Sequence, residues 1–264
     1  MHRPRLSVVL ISLNAEEILA DCLSSVDWAD EIVVLDSGSC DNTQAIAHQY
    51  GAKFFENTSW PGFGKQRQLA QQYASGDYIL MLDTDERITP DLRQSIEAVL
   101  SSPKKDTVYR FARSNLFLER FMRHSGWYPD HVIRLYPNSY HYNNNEVHES
   151  LDYGTAKVVT LQGNLEHLTC RDFFSFQEKQ LMYAKSWSEE RFQKGKHCSY
   201  VAIYTHAISA FIKTWILRAG FLDGKQGLIL SIINFQYTFN KYAGLWALHN
   251  GKKSRNKNQI HRKK

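Results

Sequence analysis

Apolar positions in the first hundred residues follow two periods in turn. Leu6 to Leu13 is a short run of strand character, and Glu31 to Leu35, Ala52 to Phe55 and Tyr78 to Leu82 repeat it. Runs this short, rich in Val, Ile and Leu, suit strands buried on both faces. Between them the spacing becomes helical: Ile18, Leu19, Cys22, Leu23 and Val26 recur behind Asn14, which has the chemistry of an N-cap. Asp41 precedes Gln44 by capping-box spacing, and Gly51 ends the helix between them and the third strand. Lys65 to Ala74 is a third helix, and Thr89 with Pro90 opens a fourth as N-cap and first helical residue. Strand and helix alternating through short loops predict an α/β fold with a mostly parallel central sheet and helices on both faces. In such sheets ligands sit beyond the carboxyl ends of the strands.

Past residue 105 the pattern loosens. Thr107 to Arg113 and His131 to Tyr136 read as further strands, joined by an aromatic, basic loop that holds Phe117, Phe121, Trp127 and Tyr128. Residues 173–194 are amphipathic and helical, and residues 200–248 are apolar with scattered polar positions. On a helical wheel at ~100° per residue, Thr205, His206, Ser209 and Lys213 share one sector. Val201, Ile203, Ile208, Phe211, Ile212, Trp215 and Ile216 fill the remainder, which suits a helix packed in protein or lying at a bilayer surface.

Charge sharpens this reading. The 264 residues carry 32 Lys and Arg against 27 Asp and Glu, but seven of the bases lie in residues 252–264, which contain no acid. The rest of the chain is slightly acidic, so the basic character belongs to a tail. No RNA-binding motif accompanies it, and nucleic acid is not expected as a partner. Each base beside an anionic leaflet contributes on the order of 1 kcal/mol, so the tail and the apolar helix together point to attachment at an anionic membrane surface. The four cysteines (Cys22, Cys40, Cys170, Cys198) lack metal or redox spacing and read as reduced intracellular thiols. Asn14, Glu16 and Glu17 directly follow the first apolar run, which is therefore a strand rather than a leader, and no run of 18 apolar residues is present.

The candidate chemistry gathers at strand ends. The second strand leads into Asp36-Ser37-Gly38-Ser39-Cys40-Asp41, and the fourth into Asp83-Thr84-Asp85-Glu86. Asp83 and Asp85, two apart, are placed to share a divalent cation, Mg²⁺ or Mn²⁺, that keeps open positions for substrate phosphates. Asp36 can accept hydrogen bonds from a base or ribose. Gly62-Phe63-Gly64-Lys65-Gln66-Arg67 allows close backbone approach and sets Lys65 and Arg67 at a helix start, where an anion is favoured. Ser12-Leu13-Asn14-Ala15 holds no glycine after the first strand, which disfavours a dehydrogenase and a nucleotidylyltransferase alike.

Together, Ser7-Val8-Val9-Leu10-Ile11 with Asn14, Asp36-Ser37-Gly38-Ser39 with Asp41 and Thr43, Gly64-Lys65-Gln66-Arg67, and Leu82-Asp83-Thr84-Asp85-Glu86 resemble the GT-A domain of family 2 glycosyltransferases. Asn145-Glu146-Val147-His148-Glu149, Gly220 to Gly227 and Lys241-Tyr242 resemble a narrower bacterial group that adds glucose or a related sugar to heptose of the lipopolysaccharide inner core. The resemblance gives a GT-A-like domain over residues 1–165, and the apolar and charge patterns add a helical, apolar, membrane-associating extension over 166–251 and a basic disordered tail over 252–264. The resemblance further implies that Asn14 lies beside the nucleotide, that Asp36 contacts uridine, and that Lys65 and Arg67 line the donor pocket. Asp83 would meet the donor ribose or sugar, and Asp85 the metal. Ser37 stands where many relatives have a second Asp, and the QxxRW signature of processive members is absent.

The implied reaction is inverting transfer of one sugar, with UDP-glucose as donor and a lipid-linked oligosaccharide as acceptor, at the cytoplasmic face of the inner membrane. The alternatives are another glycolipid or polysaccharide acceptor, or a nucleotidylyltransferase-like enzyme on a similar sheet. Inversion needs a general base for the acceptor hydroxyl. Glu149 is the candidate, with Asp130 in Trp127-Tyr128-Pro129-Asp130-His131 as its rival, and His148 is a candidate to complete the metal site.

Overall fold

A computed structural model of the chain describes residues 3–144, 149–170 and 172–261, the side chains of 251–261 excepted. The chain divides into two compact units: Met1–Ser114 with Pro129–Leu168, and Asn115–Tyr128 with Thr169–Lys264. The aromatic loop at 115–128, which the sequence reading leaves in the first domain, thus clusters with the second unit.

The strands are β1 (Leu6–Ser12), β2 (Glu31–Asp36), β3 (Lys53–Glu56), β4 (Tyr78–Asp83), β5 (Glu86–Ile88), β6 (Thr107–Phe117), β7 (Arg120–Phe121), β8 (Asp130–Pro137), β9 (His141–Tyr142), β10 (Leu151–Asp152) and β11 (Lys157–Cys170). The helices are α1 (Leu19–Ser24), α2 (Thr43–Gln49), α3 (Phe63–Gln72), α4 (Pro90–Ser101), α5 (Phe173–Gln193), α6 (Tyr200–Ile212) and α7 (Gly224–His261).

The main sheet runs β3-β2-β1-β4-β8-β6-β11-β5. Its first four strands are parallel, and β8 then pairs antiparallel with both β4 and β6. Alternate residues of the parallel strands feed two cores. Val8, Leu10, Val34 and Leu80 pack with Leu19 and Leu23 of α1 and Leu92 and Ile96 of α4, whereas Val9, Ile11, Val33 and Met81 pack with Ala70 of α3. Both faces are covered, which is why these strands are continuously apolar. Glu31 closes one corner of the sheet: its carboxylate accepts from Ser7 Oγ, the Ser75 amide and Lys53 Nζ. Burial would raise its pKa, and those donors outweigh burial and bring it to about 2.

Two caps differ from the sequence reading. Asn14 is not the N-cap of α1: it sits in the left-handed region at φ 48°, and its Oδ1 accepts from the Cys40 amide at 3.0 Å. The helix accordingly starts later, behind Ile18, with no side-chain cap. Asp41 accepts from the amide and hydroxyl of Thr43, one residue too early for a capping box, so α2 begins behind Asn42. Thr89 and Pro90 behave as expected, with the Thr89 hydroxyl accepting from the Leu92 amide.

In the second unit, α5 and α6 pack on α7. A π-helical turn (Lys213–Leu217) and a 3-10 turn (Gly220–Asp223) join α6 to α7. The Gly220–Gly227 motif has a packing role here. A Cβ on Gly227 would lie 1.9 Å from the Gly220 carbonyl oxygen, and the buried Asp223 carboxylate accepts from the Arg123 and His124 amides and the Ser125 hydroxyl. Helix α7 extends through residues 252–261, which the sequence reading set apart as a disordered tail. Among the described residues no helix is long and apolar enough to cross a membrane.

Candidate active site

Beyond the carboxyl end of β4, in the first unit, lies a cavity of about 460 Å³ lined by Arg67, Asp83, Arg113, Arg134, Tyr142 and Glu149 among others. Asp83 is its charged centre. One carboxylate oxygen accepts from Arg67 Nη2 at 2.5 Å and the other from Arg134 Nη2. Burial alone would raise the Asp83 pKa, but the two guanidinium groups outweigh it and hold the carboxyl well below the usual range.

Arg134 also donates to the fully buried Glu86 at 2.8 Å, and Glu86 in turn accepts from the Asp83 amide at 3.0 Å. Burial pushes the Glu86 pKa up, with Arg134 opposing and the neighbouring Asp83 charge adding to the rise. Arg67 stacks over the Tyr142 ring at 5.3 Å, and its Nε lies 3.6 Å from Glu149 Oε1. Asp83, Glu86 and Glu149 are thus threaded by two buried guanidiniums. Arg67 Nε and Nη1 and Arg134 Nε, all buried, still have no hydrogen-bond acceptor among the described residues. Buried donors of this kind are costly without an acceptor, and they suit a site that takes an oxygen-rich ligand.

Asp85 points elsewhere. Two arginines engage the Asp83 carboxylate, while Asp85 Oδ2 lies 3.4 Å from His167 Nε2. No group of three or more His, Cys, Asp and Glu ligands occurs among the described residues. Asp85 with His167 still offers a carboxylate oxygen and an imidazole nitrogen on partly exposed side chains, a donor pair that fits a divalent cation whose remaining positions go to phosphate oxygens. Arg87 pins the intervening turn, donating to the Thr84 carbonyl at 3.0 Å and the Ile18 carbonyl at 2.7 Å.

The other sequence candidates are distributed as follows. Asn14 and Asp36 stand at the ends of β1 and β2, outside the cavity lining. Asp36 is buried, and its two oxygens accept from Ser12 Oγ, Ser39 Oγ and the amides of Gly38 and Ser39, so that it folds its own loop. Contact with a base therefore requires exchange of one of these bonds. Lys65 and Arg67 part company: Arg67 is buried in the cavity wall, while Lys65 is exposed on the first turn of α3. Glu149 lines the cavity; Asp130 does not, being held at the start of β8 by two hydrogen bonds from Arg113 at 2.6 and 2.9 Å. His148 lies outside the described residues. Arg134, Glu86 and His167 were missed by the sequence reading. The one available signal was a charge inside an apolar strand, Arg134 within Val132 to Tyr136.

Residues 7–165 match the domain described as Glycosyl transferase family 2, more than half of the chain. The chain belongs to this glycosyltransferase family and is a glycosyltransferase. It is 26% identical over 241 residues to an uncharacterised glycosyltransferase of Rickettsia typhi, covering 87% of this chain and 82% of that one. It is also 26% identical to the lipopolysaccharide core biosynthesis glycosyltransferase LpsC of Rhizobium meliloti, over 92% of this chain and 93% of that one. Among solved structures, S. aureus TarS crystallised with UDP aligns with 94% of this chain and 92% of its own, at 15% identity and a TM-score of 0.49.

Proposed function

We propose that this enzyme transfers one sugar, with inversion, from a nucleotide diphosphate sugar to a lipid-linked lipopolysaccharide core oligosaccharide, with UDP-glucose as the donor. The observation that carries the reading is the cavity beyond β4, in which Glu149 faces Asp83 across the Arg67 guanidinium. The length of the match to LpsC supports the choice of acceptor class.

In this reading Glu149 is the base that takes the proton of the acceptor hydroxyl, and Arg67, 3.6 Å away, keeps its carboxylate aimed. Asp83, fixed by Arg67 and Arg134, accepts from hydroxyls of the donor ribose or sugar. Asn14, Asp36 and Lys65 form the nucleotide side of the site. Asp85 and His167 would hold a divalent cation, Mn²⁺ or Mg²⁺, with His148 as a candidate further ligand. When bound, that cation neutralises charge on the leaving diphosphate. The basic C-terminal residues hold the enzyme peripherally on the anionic cytoplasmic face of the inner membrane, where a lipid-linked acceptor is found.

The test is a screen of purified protein against a panel of nucleotide sugars with Mn²⁺ or Mg²⁺, scored by thermal shift and by nucleoside diphosphate release. UDP-glucose should give the largest metal-dependent response. A response confined to another nucleotide sugar would replace the donor, and no response to any would refute the site.

A further inference from the structure

Helix α6 has its apolar residues on two opposite sides. Ile203 and Ala207, with Thr214 of the π-helical turn that follows α6, are buried on the side turned inward, within the second unit. At ~100° per residue, Val201, Ile208, Ile212 and Ile216 fall roughly opposite them. These four, with Leu217, are 42–76% exposed. The stripe continues into the 3-10 turn, where Phe221 and Leu222 are half-exposed and the Phe221 ring meets Trp215 at 6.3 Å. Scattered exposed apolar residues are ordinary; a row of this length along α6 and the π-helical turn after it marks an interaction surface.

Charge selects the partner. From Lys196 to the end of the sequence there are twelve Lys and Arg and a single acid, Asp223. That acid is fully buried and bonded to Arg123, His124 and Ser125. Lys213, Arg218 and Lys225 are exposed and flank the end of the stripe along the chain. A second copy of the chain would bring the same positive charge against itself, and the stripe offers an acidic protein no groove, only a convex helix side. Anionic lipid headgroups over an apolar interior match both features.

We propose that the outward side of α6, with the 3-10 turn, inserts into the headgroup region of an anionic bilayer. This deepens the membrane-surface reading above: it assigns insertion to α6 and leaves the segment after residue 251 as an electrostatic supplement.

The test is flotation of the full chain with vesicles of phosphatidylcholine alone or phosphatidylcholine with phosphatidylglycerol, without donor or acceptor. Its outcome is therefore separate from that of the transferase assay. The parent should float with the anionic vesicles only. The triple variant Ile208→Glu, Ile212→Glu, Ile216→Glu should float about tenfold less or worse, with an unchanged melting temperature. Should that variant melt early, Lys213→Glu with Lys225→Glu, both at exposed positions, supplies the second reading and should also reduce flotation. Deleting residues 252–264 should weaken binding without abolishing it. The proposal is overturned if a folded triple variant floats like the parent, if the double charge variant has no effect, or if the deletion alone removes all binding. It is equally overturned if size exclusion without lipid shows a parent dimer that the triple variant converts to monomer, since the stripe would then be a self-association face.

Discussion

The two compact units invert each other's placement of polar and apolar groups. In the first unit, charge is inside: Arg67, Arg134 and Glu86 are buried, with Asp83 between them. In the second, apolar groups are outside, along α6, and the one acid after Lys196 is enclosed. Burying an ion costs several kcal/mol unless it is paired, so a buried ionic lattice persists only where its geometry is used. Leaving isoleucines in water forgoes ~1.5–3 kcal/mol apiece, so an exposed row of them implies a surface that covers it in use. Each anomaly marks a place where folding stability has given way to function.

The largest effect is expected from breaking the inward lattice. Arg134→Met removes the group shared by Asp83 and Glu86 and leaves the buried Glu86 carboxylate and the partly buried Asp83 carboxylate short of a partner. We expect destabilisation of about 3–5 kcal/mol, read by urea unfolding of the intact chain. A loss below ~1 kcal/mol would mean that water or relaxation replaces the guanidinium and that the lattice is not the closed system described.

The contrast between Arg67 and Arg134 also shows what the sequence could disclose. The parallel half of the sheet was readable because strands buried on both faces are continuously apolar; Arg67 and Asp83 were singled out because they lie in short motifs next to such strands, and Glu149 through the resemblance of its own motif. Arg134 and His167 come from β8 and β11, whose place in the sheet depends on long-range pairing that no local pattern encodes. Glu86 was quoted in its motif yet given no role, since only the fold turns it inward. Asn14 was misread as a cap for a related reason: its amide oxygen has a competing donor, the Cys40 amide, contributed by a different strand end. Helix periodicity in α6 separated polar from apolar positions but could not say which apolar side would be packed.

The second prediction concerns which carboxylate acts. Glu149→Gln keeps shape and should keep donor binding, yet lose ~10²-fold or more in turnover, the usual scale for a general base. Asp130→Asn should cost far less activity, because Asp130 is occupied by Arg113 outside the cavity lining. Turnover measured under saturating donor for both variants decides the matter, and a reversal of the two results would move the base to Asp130.

The smallest expected effect is the one that sharpens the comparison most. Ile216→Gln, in the π-helical turn that continues the outward side of α6, removes an exposed apolar group and should change stability by no more than ~0.5 kcal/mol. Ile203→Ala, on the inward side of α6, should cost ~2–4 kcal/mol through lost contacts and a cavity. Both substitutions replace an isoleucine, Ile203 in α6 and Ile216 in the π-helical turn that follows it, and the several-fold difference expected between them exceeds what propensity alone supplies and reports packing. If Ile216→Gln also cost several kcal/mol, the stripe would be packed in solution, against this chain or another copy of it. Near-silence in stability together with weakened flotation on anionic vesicles is the combination that belongs to a membrane-facing residue, because only then is the apolar side chain covered in the bound state alone.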